Sequence, residues 1–204
     1  MKRSAVGMSL VGILVLASCA SQTPEQTALP ANVSIMRSGT ADYVDKVDFS
    51  SAVKAGKSFS DLKLCVAETV TSDDVLLSDD AGSFVGPRTG NYYEIETNHV
   101  VTGREVIKYV DDGAATLIAT GRTSAVSNGL MPITDLINFE IKAALSSDRL
   151  TMIFQNVTRA QQSTGYASNP GFGPVGTWNG ARAPQVYSAL QAVADRIRGC
   201  MGEA

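Results

Sequence analysis

Two stretches of strict alternation set the folding problem for this chain. Ile137, Phe139, Ile141, Ala143 and Leu145 alternate with Asn138, Glu140, Lys142 and Ala144. After Ser146, Ser147, Asp148 and Arg149 the pattern resumes, with Leu150, Met152 and Phe154 set against Thr151, Ile153 and Gln155. A strand sends successive side chains to opposite faces, so this pattern covers one face and wets the other. Residues 104–124 repeat the arrangement, with β-formers on both sides of Asp111, Asp112 and Gly113. An Asp-Gly turn between alternating runs is a strong hairpin signal. Two successive hairpins commit the chain to an antiparallel sheet whose apolar face needs a second layer.

The C-terminal residues supply such a layer. Pro184 suits a first helical turn. Val186, Leu190, Val193, Ile197 and Cys200 then recur at spacings of three and four, with Gln185, Ser188, Gln191, Asp195 and Arg198 on the other side. This periodicity predicts an amphipathic helix laid on the sheet. Residues 47–58 read as a short N-terminal helix, capped by Asp48 or Ser50 and ended by Gly56. Residues 61–70 alternate, with Leu62, Leu64 and Val66 opposite Lys63, Cys65, Ala67 and Thr69, and so read as a strand. Residues 75–77 read as a short partner for it, and residues 92–102 as a strand or two around His99. The expected fold is α+β: an antiparallel sheet of about five to seven strands, a short N-terminal helix, and a C-terminal amphipathic helix packed on one face.

The N-terminus carries an address. Lys2 and Arg3 precede an apolar stretch over residues 5–16. About a dozen residues at roughly 1.5 Å each reach about 18 Å, short of a bilayer core of roughly 30 Å, so this is a signal core and not a span. Leu16, Ala17, Ser18 and Cys19 follow. This resembles the lipobox of bacterial prolipoproteins, in which a dedicated peptidase cuts before the cysteine. The resemblance implies that residues 1–18 are a signal peptide. It also implies that the sulfur of Cys19 carries diacylglyceryl and that its new amino terminus is acylated. Two or more chains anchor a protein stably where one does not. Ala20 in place of aspartate implies, by the sorting rule of enteric bacteria, the outer membrane. Residues 19–45 then read as the lipidated cysteine and a tether rich in Ser, Thr, Gln, Pro and Ala, with a first strand near Val33–Met36 as the alternative. Residues 46–204 form the single α+β domain.

Removal of the signal takes Lys2 and Arg3 away, and the formal charge moves from −3 to about −5. A chain so balanced has no basic stripe for nucleic acid. Of three cysteines, lipidation of Cys19 leaves Cys65 and Cys200, an even pair in an oxidising compartment, where a disulfide is expected. If residues 61–70 are a strand, Cys65 faces away from Leu62 and Leu64, and the bridge requires the last helix to approach over Cys65 and Ala67. Zinc is not expected, because two thiols and His99 leave a site incomplete.

Signs of catalysis are sparse. His99 is the sole histidine, and no serine sits in a glycine elbow. Residues 86–90 lack the Gly-Lys-Ser/Thr ending of a phosphate loop. Ser72-Asp73-Asp74 and Ser78-Asp79-Asp80 lack the ligand spacing of a calcium loop and read as solvated turns. No cofactor is implied. Two glycine-rich segments stand out: residues 80–91, which lead into Tyr92 and Tyr93, and residues 162–183, which hold Tyr166, Phe172 and Trp178 and end near Arg182. Loops beyond about 12–15 residues in compact domains are usually functional or disordered, and aromatic residues argue against disorder. Arg88, Tyr92, Tyr166, Phe172, Trp178 and Arg182 are therefore the candidate partner-binding residues, since Tyr, Trp and Arg anchor interfaces. The alternative is an Ω-loop whose rings plug the end of the sheet. The expected function is a non-enzymatic binding or structural role in a lipid-anchored, periplasm-facing envelope protein, with an envelope protein or the cell wall as partner. A carrier of a small amphiphile held between sheet and helices, and an envelope enzyme, are the alternatives.

Overall fold

A computed structural model describes residues 25–127 and 132–202. The expected signal peptide of residues 1–18, the expected lipid site at Cys19 and the expected tether as far as residue 24 lie outside the described residues. The main sheet has seven strands. β1 (Val33–Ser38), β2 (Ala41–Ala52), β7 (Ile107–Asp111), β8 (Thr116–Ser127), β9 (Ile133–Ser146) and β10 (Arg149–Gln161) lie in the order β1-β2-β10-β9-β8-β7, and short β11 (Gly173–Pro174) pairs with β10. All these pairings are antiparallel. The two hairpins anticipated from alternation are β7–β8 and β9–β10. In the second, Leu150 lies opposite Leu145, Met152 opposite Ala143 and Phe154 opposite Ile141.

Two helices cover one face. α1 (Phe59–Thr69) begins in a capping box: the Ser58 side chain accepts from the Asp61 N–H and the Asp61 carboxylate accepts from the Ser58 N–H. Two amide donors that the first helical turn leaves over are thereby satisfied. α2 (Ala183–Cys200) buries Val186, Leu190, Val193 and Ile197. Its C-terminal end is closed by the Lys57 amine on the Cys200 carbonyl at 3.1 Å. The helices and the sheet share one core, in which Phe154 meets Phe49 and Phe139 edge to face at centroid distances of 5.7 and 5.2 Å. Between the sheet and α2, Leu29, Val33, Val44, Val47, Val186 and Tyr187 close on an apolar gap with no room for water. Cys65 of α1 and Cys200 of α2 are joined in a disulfide, with their Cα atoms 5.8 Å apart.

Three expectations are corrected. Residues 61–70 belong to a helix and not to a strand, and buried Leu62, Cys65 and Val66 lie at helical spacing. Residues 47–52 are the second half of β2 and residues 53–58 lead out of it through a turn, so the N-terminal helix starts only at Phe59. Residues 33–45, expected in the tether, form β1 and the start of β2. No helix among the described residues is long and apolar enough to cross a membrane.

Candidate functional site

The opposite face of the main sheet is covered in part by a small two-stranded sheet, β3 (Val75–Asp79) and β6 (Thr97–Val101). Leu77 anchors it on Leu136 and Ala160. The Asp79 carboxylate fixes its end to the long loop after β10. It accepts the Asn169 N–H at 2.9 Å and the Ala81 N–H at 3.1 Å. These two backbone donors hold its carboxyl below the usual carboxylate range.

Between β3 and β6 the chain makes a separate excursion. β4 (Phe84–Val85) and β5 (Tyr92–Tyr93) pair only with each other, Phe84 opposite Tyr93 and Val85 opposite Tyr92. The turn that joins them closes through the Gly90 N–H on the Gly86 carbonyl, with Gly90 at φ 70°. Phe84 stacks on Tyr93 at 5.1 Å, and Tyr92 meets Tyr166 of the long loop edge to face at 6.5 Å. None of these rings enters the core: Phe84, Tyr92, Tyr93 and Tyr166 are 49%, 50%, 43% and 76% exposed. The Tyr166 hydroxyl, engaged with that of Tyr92 and near Asp80 and Glu94, is held above the usual phenol range. Arg88 stands exposed in the turn.

The six candidates from the sequence therefore divide. Arg88, Tyr92 and Tyr166 come together at this aromatic hairpin. Phe172 is half-buried against the Leu77–Leu136–Ala160 cluster, with the Arg122 guanidinium 5.5 Å from its ring centre. Trp178 is half-buried and meets Tyr43 edge to face at 5.6 Å, while Gln26 bridges to its backbone. Arg182 forms an ion pair with buried Asp135 at 2.7 Å and donates to Gln161. These last three hold the loop in place. Phe84 and Tyr93 are the partners that sequence reasoning missed, although Phe84 lies in the glycine-rich segment that drew attention.

A second feature escaped the sequence altogether. The uncovered part of the same face forms a cleft of about 440 Å³. Its floor is Thr120 and Arg122 of β8, Asn138 and Glu140 of β9, and Asn156 and Thr158 of β10, and its sides carry Arg104, Lys108 and Phe172. A bulge shapes the floor: Gln155 pairs with Glu140 and Thr158 with Asn138, so two residues of β10 face one of β9, and Asn156 takes φ 53°. Arg122 is held by neutral oxygens, with Nε on the Asn138 amide at 2.7 Å and Nη1 on the Val101 and Asp73 carbonyls. Glu140 is matched by Lys108 at 3.3 Å and by the Gln155 amide at 2.6 Å.

Other chemistry finds little here. His99 is exposed on β6 opposite Leu77. Among the described residues no three His, Cys, Asp or Glu side chains are grouped to hold a metal. No family model and no curated protein matches the sequence. Among solved structures, the chain is similar to a DUF4468 family protein from Bacteroides ovatus ATCC 8483, at 10% identity and a TM-score of 0.37, over 78% of this chain and 80% of that one.

Proposed function

We propose that this chain is a lipid-anchored, periplasm-facing envelope lipoprotein whose domain acts by binding a partner and not by catalysis. The lipobox at residues 16–19 supports the anchor, and Ala20 supports the outer membrane as its site. The observation that carries the binding role is the aromatic hairpin. Four rings and Val85 gather on a two-stranded unit that pairs with neither of the other sheets and shields no core. Exposed aromatic clusters beside an arginine have the composition of an interface centre. Where β1 and β2 meet α2 the gap leaves no room for water, and the opening between β8 and α2 is a surface groove lined by Ser124, Gln185 and Ser188, which favours such a surface over an enclosed ligand carrier.

The position of the hairpin fits the anchor. β10 ends where β2 begins, and there Gln26 pairs with Trp178 while Ser78 pairs with Ser163. The segment leading back to Cys19 and the aromatic hairpin thus leave from the same end of the sheet. Six residue steps separate Cys19 from Glu25, a reach of at most about 21 Å at roughly 3.5 Å per residue. The hairpin then works close to the membrane, where the partner is another envelope protein or the cell wall near its attachment.

The test has two parts. Intact mass of the protein purified from envelopes reports acyl chains on Cys19, and Cys19→Ala removes them along with detergent-phase partitioning. Crosslinking in intact cells then compares the wild type with Tyr92→Ser/Tyr166→Ser. An acylated protein whose crosslinked species disappear in the double variant is expected. A wild-type mass without acyl chains removes the anchor, and unchanged crosslinks in the variant remove the hairpin.

A further inference from the structure

The cleft on the open face is not part of the aromatic hairpin, and its charge runs against that of the chain. The mature protein carries about −5. The cleft is lined by three cations, Arg104, Lys108 and Arg122, and by one carboxylate, Glu140. Lys108 and Glu140 pair with each other. What remains is Arg104 and Arg122, brought to one concavity by different elements.

Arg122 is the unusual member. Its side chain is half-buried, and its bonds run to an amide and two main-chain carbonyls, none of which carries a charge. Buried guanidinium groups are ordinarily matched by a carboxylate, because an unmatched charge away from water is costly. Burial lowers its pKa from the usual guanidinium value, the nearby charge of Arg104 adds to that, and the carboxylates of Asp74 and Asp73 oppose it. The bonds of Arg122 run to neither of these carboxylates. Asp74 accepts the Gly103 N–H at 2.7 Å, and Asp73 offers Arg122 only its carbonyl. The three neutral acceptors fix the guanidinium plane, as a preorganised recognition group requires. Thr120, Asn138 and Thr158 add neutral polar groups, and Phe172 forms an apolar side beneath the Arg122 plane.

We propose that this cleft is a binding site for a small anionic molecule, one that places a carboxylate or phosphate between Arg104 and Arg122 and an apolar portion against Phe172. An anion there gives Arg122 the directly bonded counter-charge that it does not have within the protein and relieves its repulsion from Arg104. Its volume suits a small metabolite or a short peptide end, not a folded partner.

Benzoate and inorganic phosphate serve as probes, titrated calorimetrically into the full mature protein at low salt. Binding of at least one is expected, and the stronger one tells a planar carboxylate from a tetrahedral phosphate. Arg104→Gln, a change at an exposed side chain, weakens it by about tenfold with an unchanged melting midpoint. Glu140→Gln removes the opposing charge and strengthens it. Arg122→Lys keeps the charge but not the planar fork, and weakens binding if the variant folds. Failure of both probes to bind at millimolar concentration overturns the proposal. So does equal affinity in the wild type, Arg104→Gln and Glu140→Gln, whatever becomes of Arg122→Lys.

Discussion

Asp135 carries more of the architecture than its place in a strand suggests. Its side chain is 1% exposed and it lies between two arginines, Arg159 Nη1 at 2.8 Å and Arg182 Nη2 at 3.0 Å. Arg182 Nε is also only 2.7 Å from its other oxygen, though off the N–H axis, so that contact counts as charge attraction and not as a hydrogen bond. Arg182 precedes α2 in a left-handed conformation, φ 64°, and so sets the angle at which the helix starts. One carboxylate thus ties β9, β10 and the root of α2 together. Asp135→Ala leaves two half-buried guanidinium groups without their counter-charge, and a loss of about 3–5 kcal/mol is expected in urea unfolding. Asp135→Asn, which keeps one acceptor, falls between. A loss within 1 kcal/mol for the alanine variant, about the worth of a surface pair, means that the cluster is solvated. Gly176 shows the same economy of fit on a smaller scale. A Cβ there comes within 2.2 Å of the Trp178 ring, so the tryptophan packs on bare backbone. That explains why Trp178, singled out as a recognition residue, is a structural one.

At the scale of elements, the legible parts were those whose period survived. β9 and β10 keep the two-residue alternation over most of their length, and α2 keeps its stripe of Val186, Leu190, Val193 and Ile197, so both were readable. β2 was not. Ser34 pairs with Lys46 but Ile35 pairs with Val44, leaving Asp45 as an extra residue. Buried Val44 and Val47 consequently stand three apart, as in a helix. α1 failed in the opposite sense, since Leu64 is exposed and its alternation with Leu62 and Val66 was accidental. The informative signal there was the capping box that starts with Ser58. β1 is an edge strand with almost every residue exposed, and so carries no apolar pattern to read. The correction to α1 also removes the difficulty over Cys65, which on a helix shares the buried face with Leu62 and faces α2. The bridge spans 135 residues. Cys65→Ala/Cys200→Ala is expected to lower stability by about 2–5 kcal/mol, the usual range for a native disulfide. Treatment of the wild type with reductant should reproduce the same unfolding midpoint. A midpoint unmoved by either change means that the packing of α1 on α2 holds without the bond.

Considered as a whole, the molecule separates stability from exposure. One continuous core lies between the helices and the main sheet, and none of the aromatic hairpin residues belongs to it. The cleft lies on the uncovered part of the other face. Its groups come from separate elements: strand register sets Arg122 of β8 and Glu140 of β9 on one face, the loop before β7 brings Arg104 over them with its N–H on the Ser72 hydroxyl, and no local motif announced them. The hairpin was half legible, because glycine-rich chain beside Tyr92 marks an irregular segment but does not say that Phe84 will stack on Tyr93. If the hairpin is an appendage for binding, the core should not need it. The ends of the excursion are already close: Ile95 donates its N–H to the Ser83 hydroxyl at 2.8 Å, and the Cβ position of Gly82 is 3.2 Å from the Ile95 side chain. Replacing residues 84–93 with a short Asn-Gly turn therefore leaves the pairing of β3 with β6, from Val75↔Val101 to Asp79↔Thr97, in place. Urea unfolding of this variant should stay cooperative and within about 1 kcal/mol of the wild type, as for a surface change that leaves the core contacts intact. Its cell crosslinks should be lost as they are in the tyrosine double variant. A large fall in stability, or a second unfolding transition, would show instead that the four rings brace the β3–β6 layer and that the exposed aromatic cluster is part of the fold.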